Sequence, residues 1–467
     1  MFAALVVGGF FRFADLGALE MSADEGASWA AASASSVAEV IALQPALNPG
    51  KLPIHDLMLH GWIALFGESL IAMRAMSALL GVVSIALVYF VTRELFFSEP
   101  GAGSGSRATE PTLSSDDVTM VAALAALIFA VNLVTIKYSR EARMYPLMLA
   151  ASLAQIGMFL RALRVGGLAN YVAVAILTAL AIGANFSALL IPVTETVWLV
   201  YVAIKTRDRA DIPQMKRASV VAAALAAGGL ILAPKLFSTL HAASALNAAG
   251  SVIGWRKPPS ISAPIALFNK ASGSFAFPVL AALAIWGAVR GWRRAHDAIA
   301  FGLLWMWLPP VMMVVASYAI APVFVERYAL SCFVPFFILI AIGIFAMPNE
   351  SMRFGALAIA LALSIGHIVS YTRKPHDAQY REAVAAADGA LKPGEVATVL
   401  PPYAIDVVRY YLPAARRDRA VRFEGSSTNP AVLILGDENP APDVAESYRK
   451  DYPQTIAHFR GVTVMRR

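Results

Sequence analysis

The sequence is poor in cysteine and in charge. Its single cysteine, Cys332, excludes an internal disulfide framework and a zinc site built on cysteines. Only 15% of its 467 residues are Asp, Glu, Lys or Arg, against about 25% in a typical soluble domain. With 58% apolar residues the chain is neither disordered nor collagen-like, and it is too apolar for an ordinary soluble enzyme. The formal charge of +7 fits basic loops beside membrane spans better than nucleic-acid binding, and we expect no nucleic-acid partner.

Long apolar windows dominate the first four fifths of the chain. A membrane-spanning helix needs about 20 mostly apolar residues. Eleven windows qualify as candidates, at residues 2–11, 77–97, 118–136, 146–164, 170–184, 187–204, 218–236, 274–290, 298–320, 329–347 and 354–371. The first is short, so its helix either continues through Arg12 and Phe13 or starts upstream of Met1, and it lacks the features of a signal peptide. We predict an all-α polytopic membrane bundle of about 11 transmembrane helices.

Basic residues in short loops predict the orientation of the bundle. If the N-terminus is cytosolic, the basic clusters at 161–164, 205–217 and 290–294 fall inside, together with a Gly/Ser/Pro-rich linker at 100–115. The segments predicted outside are 12–75, 137–145, 237–263, 321–327 and the polar C-terminal region. The outer loop 12–75 thus follows the first span directly.

The polar C-terminal region has the pattern of a small α/β domain. A helical pattern covers 377–391 and a second 443–452, and strand-like runs lie at 396–400, 421–423, 432–435 and 462–465. No nucleophile constellation or metal-ligand spacing is recognisable in it. We predict a transmembrane domain over 1–371 and an extracytoplasmic α/β domain over 372–467.

Two adjacent carboxylates, Asp24 and Glu25, stand in the outer loop just beyond the first span. At the membrane surface such a pair could supply a general base and a metal or hydrogen-bond ligand. Alternatively, the pair is solvated and caps a helix that runs through residues 27–42, since Ser and Asp are common N-cap residues.

The same loop contains Lys51 on a turn constrained by Gly50 and the nearby prolines. Lys51 either places a point charge against a phosphate or lies at the level of the lipid head groups. His55 and His60 are five residues apart, which suits one helical face poorly, so a metal pair is not expected. We expect His60 to be a hydrogen-bonded histidine near the membrane surface.

The outer segment 138–146 carries positive charge against the positive-inside trend. In a helical turn Arg140 and Arg143 would be i,i+3 neighbours, and two guanidinium groups on one face suit a phosphate. Alternatively, Glu141 neutralises one of these arginines. The outer turn that contains Arg327 has a similar character, with membrane-surface anchoring as its alternative role.

These features, in this order, resemble the membrane-embedded GT-C glycosyltransferases. The similarity is greatest to bacterial relatives of dolichyl-phosphate-mannose–protein mannosyltransferases, including lipid A aminoarabinose transferases. The elements that carry the resemblance are Asp24-Glu25, Lys51-Leu52-Pro53, Leu59-His60-Gly61-Trp62, Phe66-Gly67-Glu68-Ser69, Arg74 before Ser77-Ala78-Leu79-Leu80-Gly81, Tyr138–Tyr145 and Arg327-Tyr328. Together they cover residues 1–371 in order, and they are specific to the superfamily rather than to a substrate.

The resemblance implies roles for particular residues. The acidic residue of the first outer loop takes part in catalysis, which points to Asp24, with Glu25 beside it. Basic residues of outer loops bind the phosphate of a polyprenyl-phosphate sugar. The corresponding candidates here are Lys51, Arg140, Arg143 and Arg327, with His60, Tyr145 and Tyr328 as further pocket residues.

The sequence departs from the aminoarabinose transferases at two places. Gly26 and Ala27 follow the acidic pair where those enzymes carry a basic residue, which weakens the case for their substrate. Gly50 stands where they carry an acidic metal ligand, so a zinc site is not carried over. The sequence assigns no cofactor, and a divalent metal bound by other residues remains an open possibility.

The expected activity is transfer of a monosaccharide from a polyprenyl-phosphate donor to a lipid, glycan or protein acceptor. The reaction is expected at the outer face of the bacterial inner membrane, by an inverting single displacement with Asp24 as base. Two other classes remain open. A lipid or polysaccharide transporter would carry functional ionisable groups along its spans. A non-catalytic assembly protein would depend on residues 372–467 and tolerate loss of the loop charges.

Overall fold

The computed structural model describes residues 1–96, 114–208, 211–235, 237, 258–320, 322–373, 378–422, 429–436, 448 and 450–467. The chain divides into two compact units. Unit 1 comprises Met1–Ala14, Pro49–His55 and Ser77–Thr372. Unit 2 comprises Asp15–Asn48, Asp56–Met76 and Arg373–Arg467. Unit 2 therefore combines most of the first loop with the C-terminal region.

Unit 1 is built of helices. They are α1 (Phe2–Phe13), α5 (Leu70–Phe96, in unit 1 from Ser77), α6 (Ser115–Ala130), α7 (Leu133–Ser139), α8 (Tyr145–Val165), α9 (Leu168–Ala184), α10 (Leu190–Asp208), α11 (Ile212–Leu230), α12 (Ala263–Ser272), α13 (Phe277–Trp292), α14 (His296–Ala319), α15 (Phe333–Phe345) and α16 (Glu350–Thr372). Two 3-10 segments, Phe186–Leu189 and Glu326–Cys332, precede α10 and α15.

Among the described residues, six helical segments are long and apolar enough to cross a membrane singly. Two strongly bent pairs, α6 with α7 and α12 with α13, raise that number to eight. The shorter apolar helices α1 and α9, together with α11, account for the other predicted windows. Within the described residues each of the eleven windows thus overlaps a helix, and α1 continues through Arg12 to Phe13, one of the two alternatives expected.

Polar side chains stabilise the break between α6 and α7, where the axis turns by 64°. A break inside a membrane leaves backbone groups that water cannot satisfy. The Arg12 guanidinium is fully buried and donates to the carbonyl oxygen of Ala130 at 2.9 Å and to the Thr135 hydroxyl at 3.3 Å. Asn132 caps α7 and donates to the carbonyl oxygen of Ala271, near the end of α12, at 2.9 Å. One asparagine therefore connects the breaks of both bent pairs.

Unit 2 contains the helices α2 (Ala23–Ala32), α3 (Val37–Leu47), α4 (Ile54–Phe66, in unit 2 from Asp56), α17 (Tyr380–Ala390) and α18 (Ile405–Tyr411). Its four strands are β1 (Ala397–Leu400), β2 (Val432–Gly436), β3 (Gln454–Phe459) and β4 (Val462–Arg466). The strand order is β1-β2-β4-β3, with β1 and β2 parallel and the other pairs antiparallel. The 3-10 segments Pro402–Ala404 and Ala414–Arg419 flank α18. The predicted small α/β fold of the C-terminal region is confirmed.

Several local predictions need correction. The expected helix through 27–42 is two helices, because the serine-rich segment 33–36 ends α2 and Ser36 caps α3. The expected strand at 421–423 is reduced to one bridge, between Ala397 and Ala420, and Phe423 lies outside the described residues. Most of the expected helix at 443–452 and of the loops 100–115 and 237–263 also lies outside them. Strand β3 and helix α18 are additional elements.

Candidate functional site

The acidic pair lies in the first turn of α2, in unit 2. Ser22 is the N-cap, its hydroxyl accepts from the Glu25 backbone N–H, and the Glu25 carboxylate accepts from the Ser22 backbone N–H at 3.0 Å. This reciprocal capping box fixes the start of the helix. Asp24 is therefore the second residue of α2 and is half-buried, whereas Glu25 is the third and only 1% exposed.

The Glu25 carboxylate is held by Arg74 in a buried, bidentate ion pair. Arg74 Nε and Nη2 each lie 2.8 Å from a Glu25 oxygen. The remaining guanidinium donors bind the carbonyl oxygens of Leu16, Leu19 and Glu20, each at 2.8 Å. All five N–H donors of the arginine are thus used. This geometry favours a structural role for Glu25: with Arg74 it fixes the segment 16–25, which contains Asp24.

The residue after the acidic pair is a glycine because the C-terminal region packs directly against it. A Cβ atom on Gly26 would lie 3.0 Å from both the backbone nitrogen and Cγ2 of Val407 in α18. A long basic side chain would therefore displace α18. The contact with Val407 therefore explains why Gly26 stands where the aminoarabinose transferases carry a basic residue.

Trp29, one turn further along α2, is the centre of a second contact with the C-terminal region. Its indole N–H donates to Glu68 at 3.1 Å, and Arg417 lies over its ring at 4.8 Å. Arg417 also donates to Glu68 at 2.8 Å, and the Tyr410 ring packs edge-on against Trp29 at 5.3 Å. The outer loop and the C-terminal region of unit 2 are therefore joined by an aromatic and ionic network.

His60 and Glu20 are two further polar groups of unit 2. The His60 Nδ1 atom lies 2.8 Å from the carbonyl oxygen of Ala32, so this nitrogen carries the proton in that contact. Burial, together with the neighbouring Glu382, raises the pKa of Glu20 from 4.5 to about 7, although Glu20 accepts from the Arg381 backbone N–H at 2.9 Å. Glu20 is therefore a carboxyl group that titrates near neutral pH.

Lys51 lies in unit 1 on a turn fixed by the end of α9. Gly50 adopts a φ of +87°, which a glycine tolerates without strain. The Leu52 N–H donates to the carbonyl oxygen of Gly183 at 2.8 Å, and the Phe186 N–H donates to that of Gly50 at 3.2 Å. These bonds place Lys51 with only 2% of its surface exposed. A lysine at the level of the lipid head groups would be more exposed, so the burial favours a specific partner.

The segment between α7 and α8 is not helical. Helix α7 ends at Ser139 and α8 begins at Tyr145, with Pro146 in its first turn, where proline is favoured. Arg140 is half-buried and Arg143 is 6% exposed in this connection. The i,i+3 relation expected for the two arginines therefore does not apply.

Tyr145 instead brings Arg143 together with an arginine far along the chain. The Arg143 guanidinium lies 6.0 Å from the Tyr145 ring centre, and that of Arg327 lies 5.4 Å from it. Tyr138 packs edge-on against the same ring at 5.6 Å. Tyr145 is 1% exposed, so it is a rigid support for two cations whose charges repel each other. Guanidinium groups held in this way suit an anion such as a phosphate.

The predicted site residues thus form two groups. Asp24, Glu25 and His60 belong to unit 2, whereas Lys51, Arg140, Arg143, Tyr145, Arg327 and Tyr328 belong to unit 1. In the part of the chain that the structure describes, no group of three or more His, Cys, Asp and Glu side chains is suited to hold a metal ion.

Three residues of unit 2, Arg74, Glu68 and Trp29, form contacts that the sequence analysis did not predict, although Glu68 and Arg74 belong to the elements that carry the resemblance. Arg74 carries a signal in retrospect, since a charged residue interrupts an apolar stretch at the start of α5. The contacts of Trp29 and Glu68 with Arg417 have no local signal, because Arg417 is more than 340 positions away.

No protein-family model matches this sequence, and no curated protein matches it. Solved structures do match over almost its whole length. ArnT from Cupriavidus metallidurans in the apo state aligns with a TM-score of 0.59 and 12% identity, covering 99% of this chain and 96% of that chain. The structure of ArnT bound to undecaprenyl phosphate aligns with a TM-score of 0.56 and 13% identity, over the same shares of both chains.

A third similar structure comes from an archaeal protein. The oligosaccharyltransferase AglB from Archaeoglobus fulgidus, in complex with an inhibitory peptide and a dolichol-phosphate, aligns with a TM-score of 0.54 and 10% identity. The match covers 93% of this chain and 69% of that chain. ArnT and AglB are GT-C proteins, so the predicted GT-C-like membrane fold is confirmed. At these identities the likeness is one of fold.

Proposed function

We propose that this protein is a glycosyltransferase that moves a monosaccharide from a polyprenyl-phosphate donor to a lipid, glycan or protein acceptor. The carrying observation is the likeness of fold, over 99% of the chain, to a protein crystallised with undecaprenyl phosphate. The buried cations of unit 1 support the proposal, because a polyprenyl phosphate combines an apolar tail with an anionic head group. The reaction takes place at the outer face of the bacterial inner membrane.

In this proposal the donor phosphate is bound by Arg143 and Arg327, with Lys51 and Arg140 as additional cations. Tyr145 keeps the first two guanidinium groups oriented, and Tyr328 and His60 are further pocket residues. Fixed cations stabilise the charge that grows on the phosphate as the bond between the anomeric carbon and the phosphate oxygen breaks. The polyprenyl phosphate leaves with that electron pair.

Asp24 is the proposed general base. Its carboxylate takes the proton from the acceptor oxygen or nitrogen while that atom attacks the anomeric carbon opposite the phosphate. A single displacement inverts the anomeric configuration. Glu25 and Arg74 act as positioning residues in this scheme, because their buried pair fixes the helix turn that carries Asp24. The α/β domain, 372–467, packs against the same helix and is proposed to be extracytoplasmic.

The test is reconstitution of the full chain in liposomes with a panel of polyprenyl-phosphate sugars. The wild type should form glycosidic product with at least one donor, and Asp24→Asn should reduce the rate about 10²–10⁴-fold, the usual contribution of a general base. The chain provides a matched control. Asp116 is also the second residue of a helix that starts with a capping box, formed by Ser114 and Asp117, and Asp116→Asn should leave the rate unchanged.

Two results would contradict the proposal. An Asp24→Asn protein that binds the donor and retains the wild-type rate would remove Asp24 as the base. Movement of lipid or polysaccharide across the bilayer, without formation of any glycosidic bond from the whole panel, would instead identify a transporter.

A further inference from the structure

A cavity of about 190 Å³ lies in unit 1 at the C-terminal end of α15, whereas Arg327 lies before the N-terminal end of that helix. It is formed where α5, α13 and α15 end and where α16 begins. Three arginines line it, Arg290, Arg294 and Arg353, together with apolar residues such as Phe96, Ile342 and Phe345. Among the described residues that line it there is no acidic side chain.

Close contact between α13 and α15 creates this cavity. A Cβ on Gly287 would lie 2.0 Å from the carbonyl oxygen of Leu339, and one on Gly343 would lie 2.1 Å from that of Leu283. Only glycines permit the two helices to approach so closely, as in other membrane helix pairs. The approach brings the basic end of α13 beside the turn that joins α15 to α16.

Two of the three arginine side chains, Arg290 and Arg353, contact aromatic rings. Arg353 lies over Phe345 at 4.8 Å and donates to the carbonyl oxygen of Met347 at 3.2 Å, and Arg290 lies over Trp286 at 5.2 Å. Within the described parts of the chain none of the three arginines forms an ion pair. Arg290 and Arg294 are exposed and Arg353 is half-buried. Three positive charges therefore line one cavity whose described lining contains no acidic side chain.

We propose that this cavity binds a phosphate ester, held by Arg290, Arg294 and Arg353, at the end of the bundle that the basic loops predict to be cytosolic. Guanidinium groups match phosphate oxygens in geometry and charge, and basic pockets between membrane helices at the cytosolic side suit anionic lipid head groups. The apolar part of the lining would contact the acyl chains of such a lipid. A soluble phosphate ester is the other source of the same chemistry.

The experiment is native mass spectrometry of the delipidated full chain with phosphatidylglycerol, with phosphatidylcholine and with glycerol 3-phosphate. Phosphatidylglycerol should bind more tightly than phosphatidylcholine. Arg294→Gln and Arg353→Gln should each weaken its binding about five-fold, the usual effect of one cation near an anionic lipid. Arg353→Lys should retain most of the binding because it keeps the charge.

Arg293 supplies the matched control, since it is exposed like its neighbour Arg294 but does not line the cavity. Arg293→Gln should change phosphatidylglycerol binding less than two-fold. If glycerol 3-phosphate binds and competes with the lipid in an Arg294-dependent way, the ligand is a soluble phosphate ester. Equal binding of the two lipids with no binding of glycerol 3-phosphate, or equal losses in the Arg293 and Arg294 variants, would overturn the proposal.

Discussion

The buried pair of Glu25 and Arg74 permits the sharpest prediction about local stability. Arg74→Ala leaves a carboxylate that is 1% exposed without its counter-ion and leaves three carbonyl oxygens without their donor. Removing one partner of a buried ion pair costs about 3–5 kcal/mol. We expect the loop 15–25 to lose this amount of local stability, because all five donors of the arginine bind within it.

Hydrogen–deuterium exchange of peptides from the outer loop measures this loss directly. Since each 1.4 kcal/mol is a factor of ten, exchange in the segment 15–25 should accelerate by about one hundred-fold to several thousand-fold. Arg74→Lys should give an intermediate effect, because an ammonium group keeps the charge but cannot pair in the bidentate geometry. Peptides from unit 1 should keep their wild-type exchange.

A surface pair in the same unit provides the control. Arg416 binds Asp388 at 2.8 Å with 43% of the arginine side chain exposed, so Arg416→Ala should cost less than about 1 kcal/mol. In a double-mutant cycle the losses from Arg74→Ala and Glu25→Ala should be strongly non-additive. Unchanged exchange in Arg74→Ala, or additive losses in the cycle, would refute the assigned positioning role.

Three further predictions concern other side chains. Burial raises the pKa of Glu20 from 4.5 to about 7. This group therefore contributes stability to unit 2 that is complete below pH 4.5 and is lost as the pH rises through about 7. Glu20→Gln should remove this pH dependence of the free energy of unfolding. Tyr145→Leu should raise the donor KM about ten-fold through loss of two cation–π contacts of about 0.5–1 kcal/mol each, whereas Tyr145→Phe should stay within two-fold. Gly26→Ala should destabilise unit 2 by about 1–3 kcal/mol, because the added Cβ meets the Val407 backbone, and faster limited proteolysis would reveal it.

The membrane helices were predictable because lipid imposes a strong rule on the sequence. Each span must be apolar over about 20 residues, and eight of the eleven predicted windows correspond to helices or bent helix pairs that are long and apolar enough to span. Strands β1, β2 and β4 were predictable for a similar reason, since their β-branched runs are buried. Strand β3 was missed because Gln454–Phe459 is an edge strand with no buried residue and no continuous apolar run.

The partners of the site residues were not predictable from local sequence. The pairing of Glu25 with Arg74 spans 49 positions, and Tyr145 meets Arg327 across a still longer separation. No periodicity encodes such contacts, since they depend on how distant elements pack. The sequence did identify the acidic pair and the arginines of the outer segments as unusual. A charged side chain beside or inside an apolar window costs free energy, so its presence indicates a structural or functional role.

The most direct test of the proposed chemistry is a single-turnover measurement with donor bound in advance. The wild type and Asp24→Asn should bind the polyprenyl-phosphate sugar with equal affinity, because the phosphate is assigned to the arginines of unit 1. On addition of acceptor, the wild type should form product with inverted anomeric configuration, and Asp24→Asn should form it at least about one hundred-fold more slowly. Equal single-turnover rates in the two proteins, or a product with retained configuration, would contradict the assignment of Asp24 as the base of a single displacement.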